Sequence, residues 1–409
     1  MRTVLEVDGL FDGIRTMSDA TIVMEDAGEG APGRGATVTW VGKRSRAPKT
    51  PKGEQSRTVE AAASFALPGM INCHAHLTFD GTKDFEAESR QTAAMATIKA
   101  VRNARASLAA GVTTVRDLGA NGTMVVELAR AIEQGVVEGP RILAAGRGIT
   151  VTGGHGMEVG RICDSADEIR KGIREQVLAG AGVIKLFSTG GVLGGGAGAG
   201  PSVSQFSAEE TRAAVAEARK LGVRITTHAH GAEGMRIAAQ CGIDSIEHCT
   251  MLDAPTIKVV KENDVALVPT FSALHGILDH AAELPATTVE RARAAAERHH
   301  EGVRAAHRAG VRIAAGTDAG TPFNRHEQYA RELRYLTDVG LTKTEALVAA
   351  TSRAADVIGR PKAGRIAQGM WADLVFLDGD PTRDLDVLLA PKAVWVRGAP
   401  IGGVGRAAG

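Results

Sequence analysis

LPGMINCHAH, the stretch at residues 67–76, is an apolar run that ends in two histidines, His74 and His76. Such a run is typical of a buried β-strand. Side chains two residues apart point to the same face of a strand, so both imidazoles face one point. Imidazole is a common ligand of zinc. Two histidines at this spacing also occur by chance, but the stretch predicts a strand that ends at a metal site.

The composition is that of an ordinary globular protein. The chain has 409 residues, 44% of them apolar, and this length suits a large domain plus a smaller one. A net charge of +1 argues against binding to nucleic acid or to a membrane surface. The chain has no apolar run of about 18 residues and no signal-peptide core, so we expect a cytoplasmic protein. The four cysteines form no Cys-x-x-Cys pair and are expected to be free thiols.

The texture of the sequence divides the chain into two predicted domains. Residues 1–66 contain short β segments separated by turns, and β patterns return in residues 361–409. We expect these two ends to combine into one small β domain. Residues 67–360 alternate apolar strands, the last at residues 312–315, with amphipathic helices, which is typical of an α/β fold with a parallel sheet. A Gly-rich run at residues 190–200 is predicted to be a mobile loop.

Four more side chains with metal-binding chemistry lie at or within predicted strands. Lys185 lies in the apolar stretch Gly-Val-Ile-Lys-Leu-Phe, where an unpaired charge is expensive, so it needs a carboxylate partner or must lose its charge. His228 and His248 each end a strand, and the residues between them leave room for one short helix at 232–241. Asp318 follows the last strand, where it either binds a metal or caps a helix.

In this order, the six side chains resemble the ligand set of the metal-dependent amidohydrolase superfamily, in its prolidase-like and ochratoxin-amidase-like branch. The resemblance covers nearly the whole chain and includes the motif Gly-x-x-Ala-Asp-Leu-Val at residues 369–375. It implies a (β/α)8 TIM barrel at residues 67–360, flanked by a small β-sandwich made from residues 1–66 and 361–409. It also implies a homo-oligomer.

The resemblance further implies a binuclear centre that hydrolyses an amide bond. Two divalent ions, zinc being the expected metal, would be held by five side chains and bridged by a hydroxide and by Lys185, N-carboxylated by CO2. The five side chains are His74, His76 and Asp318 on one side and His228 and His248 on the other. The hydroxide would attack the amide carbonyl, with Asp318 as the general base.

Three other histidines are predicted to contact the substrate. His155, in a Gly-flanked loop after the third barrel strand, resembles a histidine that the family places over the metals. His230 follows the ligand His228 in His-Ala-His, although the reverse assignment, with His230 as the ligand, stays open. His326 is a weaker candidate, because it lies in a stretch that also reads as a solvated helix start. The remaining histidines, at 275, 280, 299, 300 and 307, are expected to lie on the surface.

The resemblance leaves the substrate and the reaction partly open. An N-acyl amino acid, a dipeptide or a xenobiotic amide fits the predicted centre, but peptidases of this branch carry a tyrosine where residues 201–207 have none. A mononuclear deaminase or cyclic-amide hydrolase usually carries an acid at the position of Gly231, which argues against both. A metal-dependent lyase or decarboxylase is excluded only weakly. Arg116, after the second strand, is expected to form an internal salt bridge.

Overall fold

The computed structural model describes residues 1–26, 35–51, 55–60, 65–192 and 200–402. It has an α/β fold in which a β-sheet built from both ends of the chain flanks two parallel sheets. The strands are β1 (Arg2–Phe11), β2 (Thr16–Glu25), β3 (Thr37–Lys43), β4 (Ser56–Glu60), β5 (Phe65–Pro68), β6 (Met70–Ala75), β7 (Val112–Asp117), β8 (Arg141–Ala144), β9 (Gly148–Thr150), β10 (Gly160–Ile162), β11 (Val183–Phe187), β12 (Arg224–Ala229), β13 (Ser245–His248), β14 (Ala266–Val268), β15 (Leu374–Leu377), β16 (Ala393–Val396) and β17 (Ala399–Pro400).

Helices follow most of the strands of the parallel sheets. They are α1 (Phe85–Ser89), α2 (Ala93–Ala109), α3 (Met124–Glu133), α4 (Ala166–Ala179), α5 (Ala208–Lys220), α6 (Ala232–Cys241), α7 (Ala254–Glu262), α8 (Phe271–Asp279), α9 (Ala286–Arg308), α10 (Ala330–Asp338), α11 (Lys343–Ala350) and α12 (Ser352–Val357). Within the described ranges, no helix has both the length and the apolar character needed to cross a membrane.

Local signals account for the ends of several helices. Ser207 begins α5 with a capping box, in which its hydroxyl accepts from the backbone of Glu210 and the Glu210 carboxylate accepts from the backbone of Ser207. Gly242 follows α6 with a φ of 85°, a conformation that glycine adopts without strain. The helix predicted at residues 232–241 is confirmed with those bounds.

Both ends of the chain contribute to one sheet, as predicted. The strand order is β17-β16-β15-β5-β1-β2-β3, and β4 pairs with β1. The C-terminal strand β15 pairs antiparallel with β5, so the two ends meet directly. The β patterns predicted within residues 361–409 form strands at Leu374–Leu377, Ala393–Val396 and Ala399–Pro400. The domain boundaries at residues 66 and 361 stay a prediction.

The two parallel sheets have the orders β6-β7-β8 and β10-β9-β11-β12-β13-β14. Parallel strands place their carboxyl ends at one edge, where side chains from different strands meet. A backbone hydrogen bond from Gly182 to the carbonyl of Ala144 joins the strand regions of the two sheets at 3.0 Å. The strands that carry the predicted ligands therefore share one edge.

The segment at residues 312–319 lies between β14 and β6. It was predicted to contain a strand at 312–315, but it forms only isolated bridges, Ile313 with Leu267 and Ala319 with Ala75. The backbone N–H of Ala315 bonds instead to the carbonyl of Ala349, outside the two neighbouring strands. The segment still links the first and last parallel strands and carries Asp318 to their shared edge.

Candidate metal centre

A cavity of about 560 Å³ opens at the carboxyl ends of the parallel strands. All six predicted metal ligands line it: His74, His76, Lys185, His228, His248 and Asp318. They come from β6, β11, β12, β13 and the segment after residue 312, as expected for ligands carried by different strands. The structure therefore brings the predicted set together at one place.

His74 and His76 converge on one carboxylate oxygen. The Nε2 atoms of both lie 3.2 Å from Oδ1 of Asp318. One donor atom each from His74, His248 and Asp318 lie within 4.8 Å of one another, which is close enough for all three to belong to one metal centre. His76 is oriented by a contact of 3.0 Å between its Nδ1 and the carbonyl oxygen of Gly119. The two imidazoles therefore face one point, as predicted, although His76 lies one residue beyond the end of β6.

Unusual backbone conformations aim two of these side chains. His248 and Asp318 have φ values of 71° and 59°, in the left-handed region that residues other than glycine rarely adopt. Consecutive residues of a regular strand point to opposite faces, but a left-handed residue interrupts this alternation. His248 and its neighbour Glu247 therefore both face His74. Gly316 lets the segment approach β6, since a Cβ there would lie 2.9 Å from the backbone nitrogen of His74. Backbone strain of this kind is often found at functional sites.

The imidazoles of β12 and β13 form a cluster beside this pair. The ring centroid of His228 lies 4.5 Å from that of His230 and 4.4 Å from that of His248. Nδ1 of His230 lies 2.7 Å from the hydroxyl of Thr250, and Nδ1 of His248 lies 2.8 Å from that of Thr270. Both His228 and His230 reach the site, so the choice between them as ligand stays a prediction.

Burial and charge keep most of these imidazoles neutral. Burial, aided by the charge of Lys185, lowers the pKa of His74 to about 4. Burial likewise lowers the pKa of His230 to about 3 and those of His228 and His248 well below the usual value. His76 differs, because burial, which lowers its pKa, is outweighed by Asp318, Asp117 and the carbonyl of Gly119 together, so that its pKa is raised. Neutral imidazole is the form that binds metal.

His74 provides a direct test of whether the residues fit a metal ion. Its Nε2 is buried and makes no hydrogen bond to any described residue, although Oδ1 of Asp318 lies 3.2 Å away. A buried polar atom without a partner needs an explanation, and an ion is one of the usual ones. A divalent cation that accepts both the imidazole lone pair and the carboxylate oxygen satisfies them together. The donor set therefore fits a metal ion.

Lys185 is enclosed among these groups with only 1% of its surface exposed. Its Nζ lies 5.4 Å from the ring centroid of Phe187. Burial lowers its pKa to about 8, and the charge of Arg116 adds to the shift while those of Glu247 and Asp318 oppose it. The neutral amine is therefore much more accessible than in an exposed lysine.

Of the three histidines predicted to contact the substrate, His155 and His230 line the cavity. Among the described residues, His326 is not part of the cavity wall. The ring of His155 lies 4.4 Å from that of His228, and burial lowers its pKa to about 4. His326 is buried elsewhere, with its Nε2 2.8 Å from the carbonyl oxygen of Phe79. Residues 193–199 of the predicted Gly-rich loop lie outside the described residues.

His299 was expected on the surface, and this expectation is wrong. It is 1% exposed and lines the cavity, with its ring centroid 4.3 Å from that of Phe271. Helix α9 buries small residues at 292, 295, 296 and 302, and position 299 falls on the same helical face. That spacing was the signal in the sequence that could have identified it.

Sequence reasoning also missed Glu247. The internal salt bridge expected for Arg116 is present, and its partner is Glu247, at 2.7 Å. Burial tends to raise the pKa of Glu247, but Arg116 and His74 outweigh it and hold that pKa at about 2. Glu247 is therefore a buried carboxylate in direct contact with a predicted ligand.

Comparisons with known proteins agree on one family. A model described as the amidohydrolase family matches residues 65–401. Ochratoxinase from Aspergillus niger is 30% identical over 410 residues, covering 90% of this chain and 82% of its own. Its crystal structure, 28% identical, has a TM-score of 0.87 and covers 100% of this chain and 98% of its own. The crystal structure of a Xaa-Pro dipeptidase with bound methionine is 29% identical, has a TM-score of 0.87 and covers 98% of this chain and all of its own.

Proposed function

The chain belongs to the amidohydrolase family and is a hydrolase acting on C–N bonds, and from this premise we propose that it cleaves an amide with a binuclear metal centre. The observation that carries the proposal is the convergence of His74, His248 and Asp318, with donor atoms within 4.8 Å of one another, beside the buried Lys185. A group of histidine and carboxylate ligands by itself occurs in many metalloproteins. A buried lysine among the ligands points to a bridged pair of ions.

In this proposal two divalent ions, zinc being the expected metal, would be held by His74, His76 and Asp318 and by His228 and His248. Lys185, once carboxylated, would be their shared ligand. Its neutral Nζ adds to the carbon of CO2, a C–N bond forms, one proton is released, and an anionic carbamate results. When bound, the ions bring the pKa of water from about 15.7 to near 7 and polarise a carbonyl oxygen.

The protein's own groups then orient the substrate and move one proton. Asp318 accepts one proton of the attacking water and returns it to the leaving nitrogen, so that the C–N bond breaks to give an amine and a carboxylic acid, which then ionises to the carboxylate and releases its proton to solvent. His155 and His230 line the cavity as neutral imidazoles and are assigned to the substrate. His326 is left out of this assignment because the carbonyl of Phe79 already occupies its Nε2.

The substrate is a small molecule, and we propose an N-acyl amino acid, a dipeptide or a xenobiotic amide. The cavity volume of about 560 Å³ falls within the range that encloses molecules of this size. The similarity to ochratoxinase and to a Xaa-Pro dipeptidase supports a substrate of this size. The segment at 201–207 has no tyrosine, which favours an N-acyl substrate over a dipeptide.

The finer architecture belongs to the same proposal. We propose that the two parallel sheets and residues 312–319 constitute one closed (β/α)8 barrel, with the terminal sheet as its β-sandwich. The hydrogen bonds of the segment to both β14 and β6 support closure. The cytoplasmic location and the homo-oligomeric state stay predictions.

Metal stoichiometry and product analysis test the proposal together. Protein purified with zinc and bicarbonate is analysed for metal and incubated with N-acyl amino acids, dipeptides and aryl amides in ¹⁸O-labelled water. Two ions per chain and one ¹⁸O in the carboxylate product are expected, and Lys185→Met should lose both metal and turnover. One ion or none, without amide cleavage, would favour a mononuclear deaminase or cyclic-amide hydrolase. Turnover without ¹⁸O incorporation would indicate a lyase.

A further inference from the structure

Arg116 and Glu247 form a buried ion pair beneath the candidate metal centre. Arg116 lies on β7 and Glu247 on β13, and their side chains are 1% and 0% exposed. Removing two charges from water is costly, so a buried pair persists only where additional hydrogen bonds satisfy it. The contacts of this pair account for nearly every polar atom that the two side chains offer.

The guanidinium of Arg116 is satisfied on three sides. Its Nε donates to the carbonyl of Cys73 at 2.6 Å, Nη1 donates to the hydroxyl of Ser245 at 3.1 Å, and Nη2 donates to Oε1 of Glu247 at 2.7 Å. Cys73 immediately precedes His74 on β6. The guanidinium therefore holds the backbone of β6, next to His74, in a fixed position relative to β13. β6 and β13 are not neighbours in either sheet.

The two carboxylate oxygens of Glu247 have different hydrogen-bond partners. Oε1 accepts from Arg116, from the hydroxyl of Ser245 at 2.9 Å and from the hydroxyl of Thr226. Oε2 is left for Nδ1 of His74, at 3.0 Å. A carboxylate paired with a guanidinium only accepts hydrogen bonds, so Nδ1 of His74 must carry the hydrogen. Nε2 then presents its lone pair toward Asp318.

We infer that Arg116 and Glu247 act as positioning residues that hold His74 in the tautomer and orientation required for metal binding. The inference rests on the proposed metal centre, but the tautomer is a property of the metal-free protein as well. Partners of this kind set which imidazole nitrogen is free, and their loss typically lowers metal affinity by about 10- to 100-fold. A pair with a merely structural role would stabilise the fold without affecting the tautomer.

Glu247→Gln gives the sharpest test, because a carboxamide has one donor end and one acceptor end. Arg116 requires an acceptor, so the amide oxygen should turn toward it and the NH2 group toward His74. Nδ1 of His74 would then accept, and the hydrogen would move to Nε2. Metal-free protein labelled with ¹⁵N-histidine reports this directly, with the His74 signals assigned from a His74→Gln sample. Zinc affinity, measured by chelator competition, should fall by about 10- to 100-fold.

A second ion pair provides a matched control. Nε of Arg141 lies 2.8 Å from Oδ2 of Asp373, and both side chains are largely buried between β8 and the terminal sheet. Asp373→Asn should lower the free energy of unfolding while leaving the His74 tautomer and the zinc affinity unchanged. An equal loss of zinc affinity in Asp373→Asn would overturn the inference, because general destabilisation would then explain both variants.

Arg116→Lys keeps the positive charge but loses the planar guanidinium, which donates to both Cys73 and Ser245. It should keep the Nδ1–H tautomer of His74, since Glu247 stays ionised, and should weaken zinc binding because the backbone tie is lost. It also serves if Glu247→Gln does not fold. Retention of both tautomer and zinc affinity in these variants would overturn the inference. Zinc binding absent from the unmodified protein would instead refute the proposed function and leave the tautomer result standing.

Discussion

The buried amine of Lys185 gives a quantitative prediction for its reaction with CO2. Only a neutral amine adds to CO2, and burial lowers the pKa of Lys185 to about 8. At pH 7 about one in ten of these amines is neutral, against roughly one in 3,000 for a lysine with the usual pKa near 10.5. Carboxylation of Lys185 at neutral pH should therefore be about 300-fold faster than that of an exposed lysine of equal reactivity.

The prediction is tested by the pH dependence of the initial rate of Lys185 carboxylation. The neutral fraction grows as pH rises toward the pKa and is nearly complete above it. With dissolved CO2 held constant, the rate should rise about tenfold per pH unit from pH 6 to 7 and level off above pH 8. Metal-free protein mixed with ¹³C-labelled CO2 allows the carbamate signal to be followed by NMR.

Lys185→Met supplies the background from the remaining amines. Subtracting its signal isolates the carbamate of Lys185, and the exposed lysines in the same sample show the behaviour of an ordinary amine. A Lys185 rate that keeps rising through pH 9 would mean that burial does not lower the pKa. No difference between the two proteins below pH 9 would mean that Lys185 is not carboxylated without metal.

Other perturbations test the centre and its support. Asp318→Asn should keep the fold, as judged by circular dichroism, and lower kcat by about 10²- to 10⁴-fold; an unchanged kcat would remove it as the base. His228→Ala should lose bound metal in elemental analysis while His230→Ala retains it, and the opposite result would reverse the two assignments. Tyr329→Phe removes the buried hydrogen bond to the carbonyl of Ile71, at 2.7 Å, and should lower the free energy of unfolding in urea by about 1–2 kcal/mol with kcat unchanged. Chelation should abolish turnover and zinc should restore it, and turnover that survives chelation would contradict a metal-dependent reaction.

Local patterns in the sequence predicted the elements that carry the site. The apolar run ending at His74 and His76 became β6, and the interval between His228 and His248 contains the expected helix. A lysine within an apolar strand is unusual in any fold, so the sequence alone distinguishes Lys185 from the other lysines. These predictions depended on periods of 2 and 3.6 residues and on residue chemistry, all of which act over a few positions.

Contacts between distant parts of the chain decided the rest. Glu247 contacts His74 across 173 positions, and no local pattern distinguishes it from other acidic residues near a strand end. His299 lies at the cavity because α9 packs its small residues inward, which depends on where α9 lies relative to α8. The backbone at His248 and Asp318 is left-handed although neither residue is glycine, so residue type did not predict these conformations.

The sequence by itself determined which chemistry this chain carries, because residue type and periodicity are local properties. Tertiary structure decided which nitrogen of each imidazole is free, which carboxylate supports it and how acidic Lys185 becomes. Those quantities depend on burial and on charges brought within a few ångströms by the fold, and neither exists before the chain has folded.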